Sequence, residues 1–283
     1  MDKIRRNERM SVMMKVLSSA PNRIFTLNSF CDLFGSAKST MSEDVDLLRD
    51  VCSAFDLGTV ETVTGAAGGV RYRPAVSRRK ARETIQELCR ELSGTGRVLP
   101  GGFLYYSDIL STPDIVNRMG EIIASEYAGC EPDFVLTMET KGIPVAFATA
   151  NALGVPLVIA RHSSKVYEGS AVNINYVSGS GRIDTMSLSR RAVKENQRAL
   201  IVDDFLRGGG TARGMTELMR EFNVSVVGTA FVMATVEPEK KRVSGEKSLM
   251  TFQVQPGDPA RAVVRPAAWL MEDRSSAAGI SQR

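Results

Sequence analysis

The sequence predicts an α/β protein in two units: an N-terminal winged helix-turn-helix, then a larger domain built on a parallel sheet. Three observations carry this. Helical periods closed by a glycine-tipped hairpin fill the first 75 residues, and short apolar runs alternate with helical stretches from about residue 97 onward. One apolar run ends in two adjacent acids and a glycine cluster, ALIVDDFLRGGGTARG at 199–214. A chain of 283 residues with 43% hydrophobic content can bury a sizeable core. Its net charge of +4 is far from the excess of a histone-like binder, so any nucleic-acid contact has to come from local clusters.

In the first unit Met10, Met13, Met14 and Leu17 repeat at helical spacing over 4–19, and Pro21 with Asn22 stops the run. Thr26 stands as the N-cap of a second helix over Leu27 to Phe34, and Gly35 ends it. After a short connection, Met41, Val45, Leu48, Val51 and Phe55 fall on one face of a third helix. The tight turn between the second and third helices makes a helix-turn-helix. Thr59 to Val63 and Val70 to Arg73 then read as two strands joined by TGAAGG, the wing. A small helical subdomain without a ligand would carry the same pattern.

Arg5, Arg6 and Arg9 cluster on the first helix, and Lys38, Ser39, Thr40 and Ser42 open the third. Gly68 and Gly69 tip the wing beside Arg71 and Arg73. Small polar and basic residues at the start of a recognition helix reach base edges or phosphates, and a basic wing approaches the DNA backbone. A solvated surface side chain is the alternative for each. Glu43, Asp44, Asp46 and Asp50 follow at once, so only the start of the third helix is available to DNA.

Residues 76–96 read as a linker carrying a charged amphipathic helix, Arg78 to Leu92, and the second unit spans 97–255. Its strand candidates are Phe134 to Met138, Leu157 to Ala160, Ala199 to Val202 and Val226 to Met233. Ile143 to Leu153 and Thr211 to Phe222 are helical in period. Beyond Gln255 the composition turns to Pro, Gly, Ser and charge, and a mobile tail is expected over 256–283 despite Trp269. Cys31, Cys52, Cys89 and Cys130 form no CxxC pair and His162 is the only histidine, so neither a metal site nor a disulfide framework has its usual spacing. Reduced, mostly buried thiols are expected. The charged N-terminus leads into no long apolar stretch; a cytoplasmic protein with no membrane partner is expected.

Asp203 and Asp204 end an apolar strand where open α/β sheets bind ligands. Gly208, Gly209 and Gly210 let backbone N–H groups turn inward, and Thr211 begins a helix whose positive end faces the same space. A phosphate suits that loop, and two carboxylates suit the 2′ and 3′ hydroxyls of a ribose. Neither GxxxxGK[ST] nor GxGxxG occurs at this segment, so the ligand implied is a ribose 5-phosphate rather than a nucleoside triphosphate or dinucleotide.

This segment resembles the phosphoribosyl pyrophosphate (PRPP) signature of type I phosphoribosyltransferases, and the likeness should cover about Arg97 to Gln255. METKGIP at 138–144 is similar to that family's pyrophosphate loop, and VLPGGFLYYSDIL at 98–110 resembles the entry segment of its adenine and xanthine members. The resemblance implies PRPP contacts from Asp203, Asp204, Phe205, Arg207, Gly208, Gly209, Gly210 and Thr211, and from Thr140, Lys141, Gly142 and Tyr105. It adds Arg161 and Lys165 after the third strand. NINYVSGSGRIDTMSL at 173–188 looks like a mobile loop that closes over the ligand, bringing Tyr176, Ser178 and Arg182. A free surface arginine is an equal reading of Arg182, and a charged helix face explains Arg190, Arg191, Lys194 and Arg198 as well as an extended DNA surface does.

The chain departs from the enzyme pattern in one respect. Gly208, preceded by Arg207, replaces the threonine before the paired glycines, and no acid or base lies between Phe205 and Arg207 to manage the proton of a purine. From Met1 to about Gln255 the sequence closely resembles the purine operon repressors of Gram-positive bacteria, which join a winged helix to a non-catalytic phosphoribosyltransferase-like domain. The resemblance implies a homodimeric repressor of purine biosynthesis genes, bound to double-stranded operator DNA and released by PRPP. No cofactor is required beyond this effector, with magnesium a natural companion of its diphosphate. Purine nucleotides such as guanosine tetraphosphate are implied as competitors for the pocket. The alternatives are an active xanthine- or adenine-type phosphoribosyltransferase and a DNA-binding module whose sheet serves only assembly.

Overall fold

The computed structural model describes residues 4–65, 68–164, 169–178 and 181–272. The first unit is α1 (Arg6–Ser19), α2 (Leu27–Phe34), α3 (Lys38–Ala54) and the hairpin β1 (Thr59–Val63) with β2 (Gly69–Arg73). Thr26 Oγ1 accepts from Ser29 N–H and Gly35 takes the left-handed conformation, so both ends of α2 are capped as its sequence implies. Met13, Leu17, Phe30, Met41, Leu48, Val60 and Val70 form one small core. Phe25 pairs with Val70 as a third strand segment, completing a winged helix. A side chain at Gly69 would overlap the Phe25 carbonyl, so this glycine is required by packing inside the wing. The wing residues 66–67 lie outside the described residues.

Beneath α1, Asp44 on α3 is fully buried and receives Arg9 through Nε at 2.7 Å and Nη2 at 3.3 Å. Arg9 Nη1 also donates to the Ile4 carbonyl, and Arg6 Nε approaches the same carboxylate at 3.1 Å. The charge on Asp44 is thus neutralised and hydrogen-bonded where it is desolvated, which is the condition for tolerating it.

The second unit opens with α4 (Arg78–Leu92), β3 (Gly94–Thr95), β4 (Val98–Leu99), β5 (Phe103–Leu104), α5 (Ser107–Leu110) and α6 (Pro113–Tyr127). Then come β6 (Phe134–Met138), α7 (Ile143–Leu153), β7 (Leu157–Ala160), β8 (Ala171–Val177), β9 (Ile183–Ser189), β10 (Arg198–Leu206) and α8 (Gly210–Glu221). The unit ends in β11 (Ser225–Thr235), β12 (Lys247–Gln255), β13 (Asp258–Pro266) and α9 (Ala268–Met271). Seven strands make the main sheet in the order β3-β13-β12-β11-β10-β6-β7. From β12 to β7 the pairs are parallel; β13 and β3 add antiparallel. One core cluster joins the sheet to α4, α6 and α7, and a second joins it to α8 and the ribbon β8–β9.

Three expectations are corrected here. The helix read as a linker is a core element: α4 buries Ala81, Ile85, Leu88 and Leu92 and packs on β13 and α9. The chain beyond Gln255 is no loose tail over 258–271, since β13 pairs with β12 and β3, and Trp269 donates to the Ser248 carbonyl with the Arg78 guanidinium 4.8 Å from its ring. Residues 273–283 lie outside the described residues. Within the segment 173–188, residues 173–177 and 183–188 form an antiparallel ribbon rather than an irregular loop, with Val172, Tyr176, Met186 and Leu188 buried in the α8 core; residues 179–180 lie outside the described residues. No helix among the described residues is long and apolar enough to cross a membrane. Cys52 and Cys89 are buried, Cys31 is half-buried and Cys130 is exposed.

The two units touch directly. Asn22 Nδ2 donates to the Ala152 carbonyl at 2.7 Å near the end of α7, and Gly154 leaves room for Pro21 and Asn22. Ser77 bonds Asp56, and Val76 N–H donates to Ser125 Oγ.

Asp44→Ala strands the Arg9 cation in the core and is expected to destabilise the winged helix by about 3 kcal/mol. Glu43→Ala, at the exposed neighbour that Arg6 also contacts, should change stability by less than about 1 kcal/mol. Denaturant unfolding of the two full-length variants measures the difference.

Candidate functional site

β10 lies inside the sheet between β6 and β11, so its carboxyl end opens into the crevice between neighbouring strands and loops. Asp203 and Asp204 stand there. Gly209, left-handed at φ 79°, turns the chain into α8, which brings a helix N-terminus next to the acid pair. A side chain at Gly210 would overlap the Val177 carbonyl and one at Gly214 would press on the Tyr176 ring, so the ribbon can lie across the start of α8 only over glycines. Among the described residues, nothing lies within 4 Å of where a side chain at Gly208 would begin.

Asp203 is 7% exposed and its Oδ1 accepts the Asp204 N–H at 3.0 Å. Burial, and then the charge of Asp204, holds its carboxyl well above the usual carboxylate range. Asp204 Oδ2 accepts the Tyr106 hydroxyl at 2.6 Å. Burial, followed by the Asp204 charge, pushes the Tyr106 phenol far up, so it remains a donor. Gly142 packs so closely on Asp203 Oδ1 and Thr137 Oγ1 that any side chain there would overlap both. Thr137 Oγ1 is buried with no hydrogen-bond partner among the described residues. Lys141 extends from the same loop, its Nζ 5.5 Å from the Tyr106 ring centroid, and Tyr106 stacks on Phe205 at 5.9 Å.

Asp203, Asp204, Phe205, Lys141 and Gly142 therefore converge, with Thr140 exposed on the adjoining loop. Tyr105 and Tyr106 divide their roles. Tyr106 holds the acid, and Tyr105 is 44% exposed and lines a cavity of 1120 Å³ with Leu99, Phe103, Lys141, Phe205 and Arg207. Two adjacent tyrosines offer no sequence signal for choosing between them, and Thr137, inside an apolar strand, offers none at all. Tyr176 is buried against Gly214, a packing position. Ser178 donates to the Arg182 carbonyl at the ribbon turn, where Arg182 is exposed. Arg161 lies 3.6 Å from Glu139. Lys165 falls outside the described residues.

On the winged helix, Lys38, Ser39 and Ser42 are exposed and Thr40 half-buried, together forming the start of α3. Arg5 is exposed as the N-cap of α1. Arg9 is removed from the set of DNA contacts, because it is spent on Asp44 in the core. Arg6 is shared between Glu43 and Asp44, and Arg71 and Arg73 both pair with Glu61, at 2.9 and 3.2 Å. Gly68 fits against the Val63 carbonyl at the base of the turn, where a side chain would overlap it.

Comparison with known proteins agrees with both halves. Residues 5–74 match the bacterial purine repressor N-terminal family and residues 106–263 the phosphoribosyl transferase domain family. Over 250 residues the chain is 44% identical to the probable purine biosynthesis transcriptional regulator PurR of Streptococcus pneumoniae, covering 88% of this chain and 91% of that one. It is 42% identical over 251 residues to the purine biosynthesis transcriptional repressor PurR of Bacillus subtilis, covering 88% of each. The solved adenine phosphoribosyltransferase of Thermoanaerobacter pseudethanolicus matches 59% of this chain and 99% of its own length, with a TM-score of 0.52 at 25% identity. The protein belongs to the purine-repressor family of transcriptional regulators, in which a DNA-binding winged helix is joined to a phosphoribosyltransferase fold.

Proposed function

We propose that this chain represses purine biosynthesis genes by binding operator DNA as a homodimer, and that PRPP releases it by occupying the phosphoribosyltransferase-like cleft without being turned over. The observation that carries this reading is the acid pair at the carboxyl end of β10 beside the start of α8, with Tyr106 fixing Asp204. The two carboxylates would accept the ribose 2′ and 3′ hydroxyls, and the 5′-phosphate would sit on the backbone N–H groups of the glycine loop over 208–211. Thr140, Lys141 and Gly142 would meet the diphosphate, with Arg161 and Arg182 as further candidate cations; Lys165 is a third candidate outside the described residues. Magnesium would accompany the diphosphate and offset its charge. No general acid or base projects from Phe205 to Arg207, which favours a sensor over a transferase. The cavity beside Tyr105 and Phe205 has the volume and apolar lining for a purine ring, so a nucleotide such as guanosine tetraphosphate would compete with PRPP there.

The coupling would run through α7. This helix begins at the Lys141–Gly142 loop and near its other end receives the hydrogen bond from Asn22 of the winged helix. If PRPP and DNA prefer different placements of α7, each weakens the other by the same factor. A C₂ dimer would present two winged helices to paired half-sites.

Fluorescence anisotropy on a purine-operon upstream fragment, at fixed salt with and without PRPP and magnesium, tests the proposal. PRPP is expected to weaken DNA affinity on the order of tenfold. Asp203→Ala with Asp204→Ala should abolish that response and retain DNA affinity. DNA affinity indifferent to PRPP would overturn the mechanism, and nucleotide formation from PRPP and a purine base would overturn the absence of catalysis. Asn22→Ala should keep PRPP and DNA affinities separately and shrink the factor between them; an unchanged factor would remove α7 from the route.

Because the folded state raises the Asp203 pKa, it holds that proton more tightly than the unfolded chain, and stability falls as pH rises from the ordinary aspartate range through the raised value. Asp203→Asn removes the buried charge. It is expected to raise stability at pH 8 by about 1 kcal/mol and to flatten this slope, while PRPP binding is lost. Thermal unfolding across pH measures the first and calorimetric titration the second.

A further inference from the structure

A groove of 710 Å³ lies between α8, the start of β11 and the segment 241–245, apart from the acid pair. It gathers Arg213, Arg220, Lys241 and Arg242 against a single acid, Glu217. That acid is taken by Arg213, whose Nε donates to it at 2.7 Å one helical turn away. The other three cations are paired with no carboxylate at hydrogen-bond distance among the described residues. Lys241 Nζ donates to the Thr235 carbonyl and hydroxyl, at 2.8 and 3.1 Å, and Arg242 Nη1 to the Val177 carbonyl at 3.4 Å. Arg220 is exposed at the last turn of α8. Thr229 also lines the groove; its residue is 7% exposed, and its hydroxyl is buried without a hydrogen-bond partner among the described residues. Glu246 and Glu237 lie near Lys241, and Arg220, Lys241 and Arg242 make no ion pair among the described residues, so a groove lined by these three cations and an unsatisfied hydroxyl suits an oxyanion.

We propose that this groove is a second effector site, which takes the phosphate or diphosphate group of a small phosphorylated metabolite. A concave site of this volume suits a small molecule better than the convex backbone of duplex DNA. The site is joined to the glycine loop, since Arg242 N–H donates to the Gly208 carbonyl at 3.0 Å and a side chain at Gly209 would meet the backbone of residue 242. An anion drawn onto Lys241 and Arg242 therefore acts on the same loop that would hold the 5′-phosphate of PRPP.

Inorganic pyrophosphate is the probe, titrated calorimetrically into the full-length protein carrying Lys141→Ala, which disables the diphosphate end of the first cleft. An equivalent of pyrophosphate should still bind. Adding Arg220→Ala should weaken that equivalent roughly tenfold by removing one charge-assisted contact. Arg220→Glu should abolish it and Arg220→Lys should largely restore it. Since Arg220 is exposed, circular dichroism spectra of these variants should match the parent. Binding indifferent to Arg220→Ala and Arg220→Glu, or no binding in the Lys141→Ala protein, would overturn the proposal. So would displacement of that pyrophosphate by a short duplex of unrelated sequence, which would assign the groove to nucleic-acid phosphates.

Discussion

The organisation of the second domain turns on one constraint: a carboxyl group buried at the end of a central strand needs a polar partner where water is excluded. Asp203 takes the N–H of Asp204 and is held well above the usual carboxylate range, with the chain at Gly142 passing close overhead. Only glycine at 142 permits that passage, and the passage in turn sets where α7 starts and where Lys141 stands. Tyr106, delivered from the segment before α5, completes the arrangement by donating to Asp204. The pair is costly to the fold. A site that stores unfavourable electrostatics in the free state is expected where binding, rather than stability, is the selected property.

The winged helix shows the opposite allocation of charge. Arg9 is committed to the buried Asp44, Arg6 is shared between Asp44 and the exposed Glu43, and Arg71 and Arg73 pair with the half-buried Glu61. Arg9 with Asp44 acts as a buried clamp between α1 and α3, which orients the recognition helix against the rest of the small core. The start of α3, with Lys38, Ser39 and Ser42, stays exposed. A net charge of only +4 is consistent with a binder that relies on a few placed groups rather than on a broad positive surface.

The two domains are held by few contacts, and they fall at informative places. Asn22 reaches the C-terminal turn of the helix whose other end abuts the acid pair, and Ser77 and Val76 anchor the chain crossing between the units. Segment 241–245 likewise touches both the glycine loop and the ribbon over α8. Loops near the acid pair are thus tied at their far ends to other parts of the molecule, a geometry in which filling one site can be felt at another.

The sequence by itself determined the winged helix and the acid pair, because both are written in local rules. Caps, helical spacing and alternation act within a few residues, so Thr26, Gly35 and the β1–β2 hairpin could be read directly. The order of strand, acids, glycines and helix at 199–214 is likewise a contiguous signal. Tertiary structure decided what depends on partners distant in the chain. Arg9 looked like a DNA contact until Asp44, on another helix, took it. Tyr106 could not be told from Tyr105 until one of them met Asp204, 98 positions away. The ribbon 171–189 and the strand 258–266 carry only sparse apolar alternation, and each becomes a stable element because α8 or β12 supplies the other half of its burial. Hydrophobic burial and charge neutralisation are pairwise quantities, and a sequence shows one member of each pair at a time.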